Sequence, residues 1–288
     1  AYKRVNELYL KAVLEVYKPG DIIWVHDYHL MLLPEMLRRE LGDNASIGFF
    51  LHIPFPSSEI FKMLPWRNEI LQGLLGADLI GFHTYDYVRH FLNSVRRLLG
   101  IENALGRIYF DCRVILVDAF PLGIDFEHFT RILAEERVKK KVKEYREAFK
   151  NLYVILSLDR LDYTKGIPQR LKAYELFLAK YPNYRGKVVL VLVISPSRTS
   201  VKEYTELKRE IDELVGKING KYSTLNWNPI VYMYKYIPFE DLLALYQIAD
   251  VALVTPLWDG MNLVSKEYVA AKTDGRGSLI LSEGAGAA

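Results

Sequence analysis

The feature that most constrains this chain is a run of seven uninterrupted apolar residues, Val188 to Ile194. It is far too short to span a bilayer. It also lacks the alternation of a strand with one wet face, so it reads as a strand buried on both sides. The same kind of run recurs at Ile22-Ile23-Trp24-Val25, Ile47 to Leu51, Asp78 to Phe82, Tyr153 to Leu158, Ile230 to Tyr234, Val251 to Val254 and Ser278 to Leu281, with Tyr109 and Arg113 to Phe120 as further strand. Helical spacing fills the intervals, beginning with Val5, Leu8, Ala12, Val13 and Val16 and stopping at Pro19-Gly20. Strictly alternating strands and helices predict an α/β chain of parallel, doubly wound sheets, with ligands beyond the carboxyl ends of the strands.

The pattern pauses once. Arg131 to Lys150 is dense in charge, yet Val138, Val142, Tyr145 and Phe149 form one apolar stripe, so an amphipathic helix is expected there rather than a disordered linker. The charged segment near 126–150 is read as joining two α/β units, residues 1–126 and 127–288. With 288 residues, half of them hydrophobic, two medium domains or one large one can be built. The net charge of +3 is small and spread, so composition argues for neither a nucleic-acid nor a membrane-surface partner, and none is expected. The single cysteine, Cys112, excludes an internal disulfide or a cysteine-rich metal site and fits a reducing, cytoplasmic setting. No signal peptide is visible. The start at Ala1 and the end on Gly-Ala-Gly-Ala-Ala both read as cuts, so a fragment truncated at both ends is expected.

The polar clusters follow the strands. After Tyr153 to Leu158 comes Asp159-Arg160-Leu161-Asp162-Tyr163-Thr164-Lys165-Gly166, with two cations five positions apart. A guanidinium fork and an ammonium converging on one point suit a diphosphate. The competing reading is a surface pair bridged to Asp159 and Asp162. Arg198, in Ser195-Pro196-Ser197-Arg198, is a second anion candidate, set against a solvated loop arginine. Asp27 and His52 follow strand ends in the first half. His52 precedes Pro54 and Pro56, which would fix its orientation, although by itself it reads first as a structural histidine bonded to backbone. His26, Asp27 and His29 are metal-ligand types, but adjacent positions at a strand end point in different directions, and a metal is not expected. The last cluster, Thr255 to Glu267, hands a strand through Asp259-Gly260 to a helix whose first N–H groups would face an anion or polar ligand. By itself it reads first as a tight turn followed by a solvated glutamate, because single strand–turn–helix signals are common. No phosphate loop of the G-x-x-x-x-G-K type and no nucleophile elbow occurs, and Gly284-Ala285-Gly286 only mimics the start of a dinucleotide fingerprint.

Together, D-I-I-W-V-H-D-Y-H-L (21–30), F-F-L-H-I-P-F-P (49–56), R-L-D-Y-T-K-G (160–166), I-N-G-K-Y (218–222) and D-G-M-N-L-V-S-K-E-Y (259–268) resemble the trehalose-6-phosphate synthases, retaining glycosyltransferases of family 20. The order and spacing agree along essentially the whole chain. The resemblance implies the GT-B fold, two Rossmann-like domains facing a cleft, with the acceptor side in the first and the nucleotide-sugar donor side in the second. It implies transfer of glucose from a nucleotide-glucose, UDP-glucose foremost, to glucose 6-phosphate. Arg160 and Lys165 would hold the donor diphosphate and stabilise the leaving group where a metal serves in other transferases, so no cofactor is implied. Glu267 would bind the ribose. Asp259, with the amides of Gly260, Met261, Asn262 and Leu263, would bind glucose, and Ile194, Ile237 and Val264 would wall the base. His52 would contact the transferred glucose, Asp27 the acceptor hydroxyl, and Arg198 the acceptor phosphate. Trp258 stands where the family usually has arginine, and the family's glycine-rich loop and aromatic acceptor residues would lie before Ala1. The competing functions are a glucosylglycerol-phosphate synthase, a non-catalytic sugar-phosphate sensor, and, from the terminal glycines alone, a nicotinamide dehydrogenase. Association into a homo-oligomer is left open, and the piece by itself is expected to be weakly active or inactive.

Overall fold

The computed structural model describes residues 1–288, which divide into two compact units, Ala1–Leu122 and Gly123–Ala288. The first contains α1 (Tyr2–Val16), β1 (Ile22–His26), α2 (Leu33–Leu41), β2 (Ser46–Phe50), α3 (Ser58–Phe61), α4 (Arg67–Leu74), β3 (Leu79–Phe82), α5 (Tyr85–Leu99), β4 (Asn103–Ala104), β5 (Arg107–Phe110) and β6 (Arg113–Ala119). Its sheet runs β1-β2-β3-β6-β5-β4, parallel from β1 to β6 and antiparallel from β6 to β4. The antiparallel hairpin departs from the all-parallel expectation. Asp111 and Cys112 both take positive φ (50° and 58°), a left-handed turn that reverses the chain too sharply for a crossover helix.

Burial alternates along β6 of this sheet. Val25, Ile47, Phe49, Ile80, Phe82, Ile115 and Val117 point into one core with Leu37, Leu71, Leu74 and Phe91 of the helices. The opposite face carries Trp24, Leu79 and Leu116 in one row through the register Trp24↔Gly48↔Leu79↔Leu116, and these three are exposed. Cover on both faces, expected from the apolar runs, is therefore found for one face here.

The second unit contains α6 (Phe126–Leu133), α7 (Glu136–Ala148), β7 (Tyr153–Arg160), α8 (Ile167–Lys180), β8 (Val188–Ser195), α9 (Lys202–Tyr222), β9 (Ile230–Tyr234), α10 (Phe239–Ile248), β10 (Val251–Val254), α11 (Leu263–Ala271) and β11 (Ser278–Leu281). Its five strands are all parallel, in the order β11-β10-β7-β8-β9, and they carry a core on each face. Leu190, Leu192 and Ile194 of β8 face α8 and α9, while Val189, Val191 and Val193 face α10. The charged segment near 126–150 lies within this unit, whose boundary falls at Leu122/Gly123. Phe129, Ile132, Leu133 and Val138 are buried in its core, because the apolar stripe outweighs the charges on the solvent side.

Candidate active site

The second unit brings its candidates together beyond the carboxyl ends of β7 and β10. Lys165, in the turn after β7, reaches Asp259, in the loop after β10: Nζ lies 2.5 Å from Oδ2, and both side chains are largely shielded from solvent. Asn262 Nδ2 donates to the same carboxylate oxygen at 3.0 Å. Asn262 itself takes φ 71°, ψ 84°, a left-handed backbone that asparagine tolerates better than most residues. That conformation lets its Oδ1 cap α11 by accepting from Ser265 N at 3.1 Å. One residue thereby starts the helix and aims the aspartate.

The two loops are tied from behind by Arg170 of α8, which is buried. Its Nε donates to Thr255 Oγ1 (2.9 Å), Nη1 to Ser157 Oγ (2.6 Å) and to Asp159, and Nη2 to the Lys165 carbonyl (3.0 Å). Burial pushes the Asp159 carboxyl above its usual range, and the charges of Arg170 and then Lys165 pull it back. The Thr164 carbonyl also accepts from Leu257 N at 2.7 Å and Trp258 N at 3.3 Å. So Asp159 is matched by Arg170 and Lys165 by Asp259, which removes the surface pairing that competed with the anion-site reading. Nothing in the sequence points to Arg170, because a lone arginine in a helix looks like surface charge.

Arg160, the last residue of β7, is exposed, and no hydrogen bond or ion pair engages its guanidinium. Asp162 instead caps the turn, accepting from Thr164 N at 2.9 Å and Thr164 Oγ1 at 2.8 Å. It also accepts from the Tyr204 hydroxyl at 3.3 Å, and that hydroxyl accepts from Arg198 at 3.1 Å. Arg198 is exposed, with its guanidinium 5.6 Å from the Tyr204 ring centre.

Glu267, just over one turn into α11, accepts a 2.6 Å hydrogen bond from the hydroxyl of Tyr246. Gly260, Met261 and Asn262 are buried, and Leu263 opens α11. Val264 and Ile237 are half-buried against one core of the unit, whereas the Ile194 side chain is fully buried in the other. The terminal glycines have a structural use. Asp259 N donates to the Gly284 carbonyl at 2.9 Å, and Gly286 N donates to the Asp259 carbonyl at 3.1 Å. A Cβ on Gly284 would lie 2.5 Å from the Leu257 oxygen, and one on Gly286 2.0 Å from the Gly260 oxygen. Both must be glycine for this strap to hold the Asp259 loop.

In the first unit, three histidines stand at the ends of neighbouring strands: His26 on β1, His52 after β2 and His83 after β3. His26 Nδ1 and His52 Nε2 are 2.9 Å apart with stacked rings, so one proton is shared between them. Burial lowers the His26 pKa first, the charge of His52 lowers it further, and Asp27 works against both. Asp27 adopts φ 71°, held by its N–H donating to Phe50 O at 2.8 Å, and its Oδ1 accepts from His52 N at 3.3 Å. No three His, Cys, Asp or Glu side chains converge as a metal-binding group would. The large groove of this unit, about 1470 Å³ and lined by Tyr28, Met31, Phe55, Trp66 and Phe110 among others, includes neither Asp27 nor His52.

The model of the family described as Glycosyltransferase family 20 matches residues 1–288. The chain belongs to glycosyltransferase family 20. It is 52% identical over 291 residues to alpha,alpha-trehalose-phosphate synthase (UDP-forming) 1 of Aspergillus fumigatus, with all of this chain and 56% of that protein covered. It is 53% identical over 289 residues to the bifunctional trehalose-6-phosphate synthase/phosphatase of Thermoproteus tenax, covering all of this chain and 39% of that one. This family-20 chain thus spans about half the length, or less, of those relatives. Among solved structures, it superposes on an alpha,alpha-trehalose-phosphate synthase (UDP-forming) from Burkholderia xenovorans in complex with glucose-6-phosphate. The TM-score is 0.93 at 35% identity, over 99% of this chain and 64% of that one. The family and the Rossmann-type α/β fold of GT-B enzymes, both expected from the sequence, are borne out. No helix is long and apolar enough to cross a membrane.

Proposed function

We propose that the full-length protein is a retaining glucosyltransferase that moves glucose from UDP-glucose to glucose 6-phosphate, releasing UDP and trehalose 6-phosphate. What supports this reading is the Lys165–Asp259 pair beyond the carboxyl ends of β7 and β10, with Arg160 ending β7 and Glu267 in α11, the helix that follows β10. The second unit is assigned the donor. Arg160 and Lys165 take the diphosphate, whose negative charge grows as the bond to glucose breaks, and fixed cations there stabilise the transition state. They supply the charge that a metal supplies elsewhere, so none is required in the proposal. Asp259 and the amides at the start of α11 take glucose, Glu267 takes the ribose, and Ile237 and Val264 flank the base. Arg198 is assigned to the acceptor phosphate. The first unit is assigned the acceptor side, with His52 on the transferred glucose and Asp27 on the acceptor hydroxyl.

The glucose C1–oxygen bond to the diphosphate breaks and a C1–oxygen bond to the acceptor forms on the same face. The acceptor's proton passes to the leaving phosphate. No enzyme nucleophile is needed. The exposed Cys112 thiol fits a cytoplasmic protein.

The test is mass spectrometry of products from the full-length protein, offering UDP-, ADP- and GDP-glucose against glucose 6-phosphate and glycerol 3-phosphate. Trehalose 6-phosphate from UDP-glucose is expected, and its rate should fall by at least about 10²-fold in an Arg160→Ala, Lys165→Ala variant. Unchanged turnover in that variant, or a product made only on glycerol 3-phosphate, would overturn the proposal.

A further inference from the structure

Tyr246 stands on α10, apart from every segment that the family resemblance singled out, and is 1% exposed. Its ring lies edge-on to Tyr268, and its hydroxyl donates to Glu267 Oε2 at 2.6 Å. No other hydrogen bond or ion pair engages the Glu267 carboxylate. A buried phenol and a half-buried carboxylate make a strong, directional contact, because few water molecules compete for either group. Burial first, and the Glu267 charge second, push the Tyr246 pKa well above its ordinary value, so the hydroxyl keeps its proton and remains a donor throughout the working pH range. The contact is not needed to join the two helices. Gln247 Nε2 also reaches the Ala271 carbonyl, and Lys272 Nζ donates to the Gln247 carbonyl at 2.9 Å.

A carboxylate on a helix surface normally samples several rotamers. Fixing Oε2 on a buried hydroxyl removes that freedom and leaves Oε1 as an acceptor for a ligand hydroxyl. We propose that Tyr246 is a positioning residue that orients Glu267 and so sets the preference of the donor site for a nucleotide carrying ribose hydroxyls. This rests on the assignment of Glu267 to the ribose. Tyr246 itself touches no substrate. Its contribution is to align Glu267 before the nucleotide arrives, so that binding does not have to order the carboxylate.

The experiment measures binding of UDP and of 2′,3′-dideoxy-UDP by titration calorimetry to the full-length protein and to its Tyr246→Phe and Glu267→Gln variants. Circular dichroism confirms that each variant is folded. The unaltered protein should prefer UDP. Tyr246→Phe should weaken UDP about tenfold, as loss of a hydrogen bond to a charged group does, and leave dideoxy-UDP and the KM for glucose 6-phosphate unchanged. A purely structural phenol would lower the melting temperature without altering the ratio of the two affinities. If Glu267→Gln loses the preference and Tyr246→Phe keeps it, the inference on Tyr246 is wrong. If Glu267→Gln keeps it too, the ribose assignment fails and the inference falls with it.

Discussion

Each unit buries one arginine in a network of four or more hydrogen bonds, at opposite ends of its sheet. In the first, Arg38 donates to the carbonyls of Gly76 (3.1 Å), Gly42 (2.9 Å) and Ala45 (2.8 Å) and to Asp78 (2.6 Å). Those groups precede β2 and β3, so the network closes the end of the sheet away from the candidate residues. In the second, Arg170 ties Ser157, Asp159, Lys165 and Thr255 at the ends of β7 and β10, immediately behind the candidate site. The chemistry of the two is similar: each guanidinium is satisfied by backbone carbonyl and carboxylate groups, with two hydroxyls added around Arg170. Position alone makes one a matter of folding and the other a matter of folding and ligand geometry. The sheets differ as well. Every residue of β8 from Val188 to Ile194 is buried, whereas burial along β6 alternates between Ile115 or Val117 and the exposed Val114 or Leu116.

The largest effect should come from the arginines. Arg170→Met should cost about 3–5 kcal/mol in urea unfolding, since it leaves the buried Asp159 carboxylate without its ion-pair partner, whereas Arg38→Met should cost less, because Asp78 is half-exposed and keeps Arg113 at 3.5 Å. Only Arg170→Met should also weaken UDP in the molecules that remain folded. Equal loss of UDP binding in both would erase the distinction.

Next come the strands. Leu192→Ala and Ile115→Ala, both at fully buried positions, should cost about 2–5 kcal/mol. Leu116→Ala, at a position 45% exposed, should cost roughly 1 kcal/mol or less. A Leu116→Ala cost matching that of Ile115→Ala would show that the bare face of the first sheet is covered in solution.

Glycines sharpen the contrast further. Gly100→Ala, at φ 69° in open space, should lose about 1 kcal/mol through left-handed strain and leave UDP binding intact. Gly286→Ala sets a methyl against the Gly260 carbonyl and should cost roughly 1–3 kcal/mol while displacing Asp259, visible as weaker UDP-glucose binding. Retained affinity in Gly286→Ala would show that the strap is dispensable.

The smallest effect is expected from pH. His26 has its folded pKa below the ordinary value of 6.5, so the unfolded chain binds more protons as pH falls through that range. Stability of the first unit should therefore be full above pH 6.5 and decline as the solution is acidified through the lowered pKa. His26→Gln should flatten that decline, measured as melting temperature between pH 7.5 and roughly pH 5. An unchanged slope would mean that the His26–His52 contact does not set it.

Much of the site was legible before folding because its residues follow strand ends in recognisable strings. Arg160, Lys165, Asp259 and Glu267 could be named from their loops, and the structure puts Lys165 against Asp259. Their supports could not. Arg170, Tyr246 and Tyr204 sit inside helices, where polar residues at such spacing look like ordinary helix surface. Gly284 and Gly286 suggested a nucleotide fingerprint because glycine records only that something comes close, and here the neighbour is the loop of Leu257 to Gly260.

The sequence alone determined the alternation of strand and helix, the parallel pairing of the long apolar runs and the family, because local periodicity and ordered motifs are written residue by residue. Whether an apolar strand face meets a helix, as Leu192 does, or remains exposed, as Leu116 does, was decided only by tertiary structure. So was the pairing of each carboxylate: Asp159 with Arg170, Asp259 with Lys165, Glu267 with Tyr246. Burial and hydrogen bonding are relations between segments far apart in the chain, and no single segment carries them.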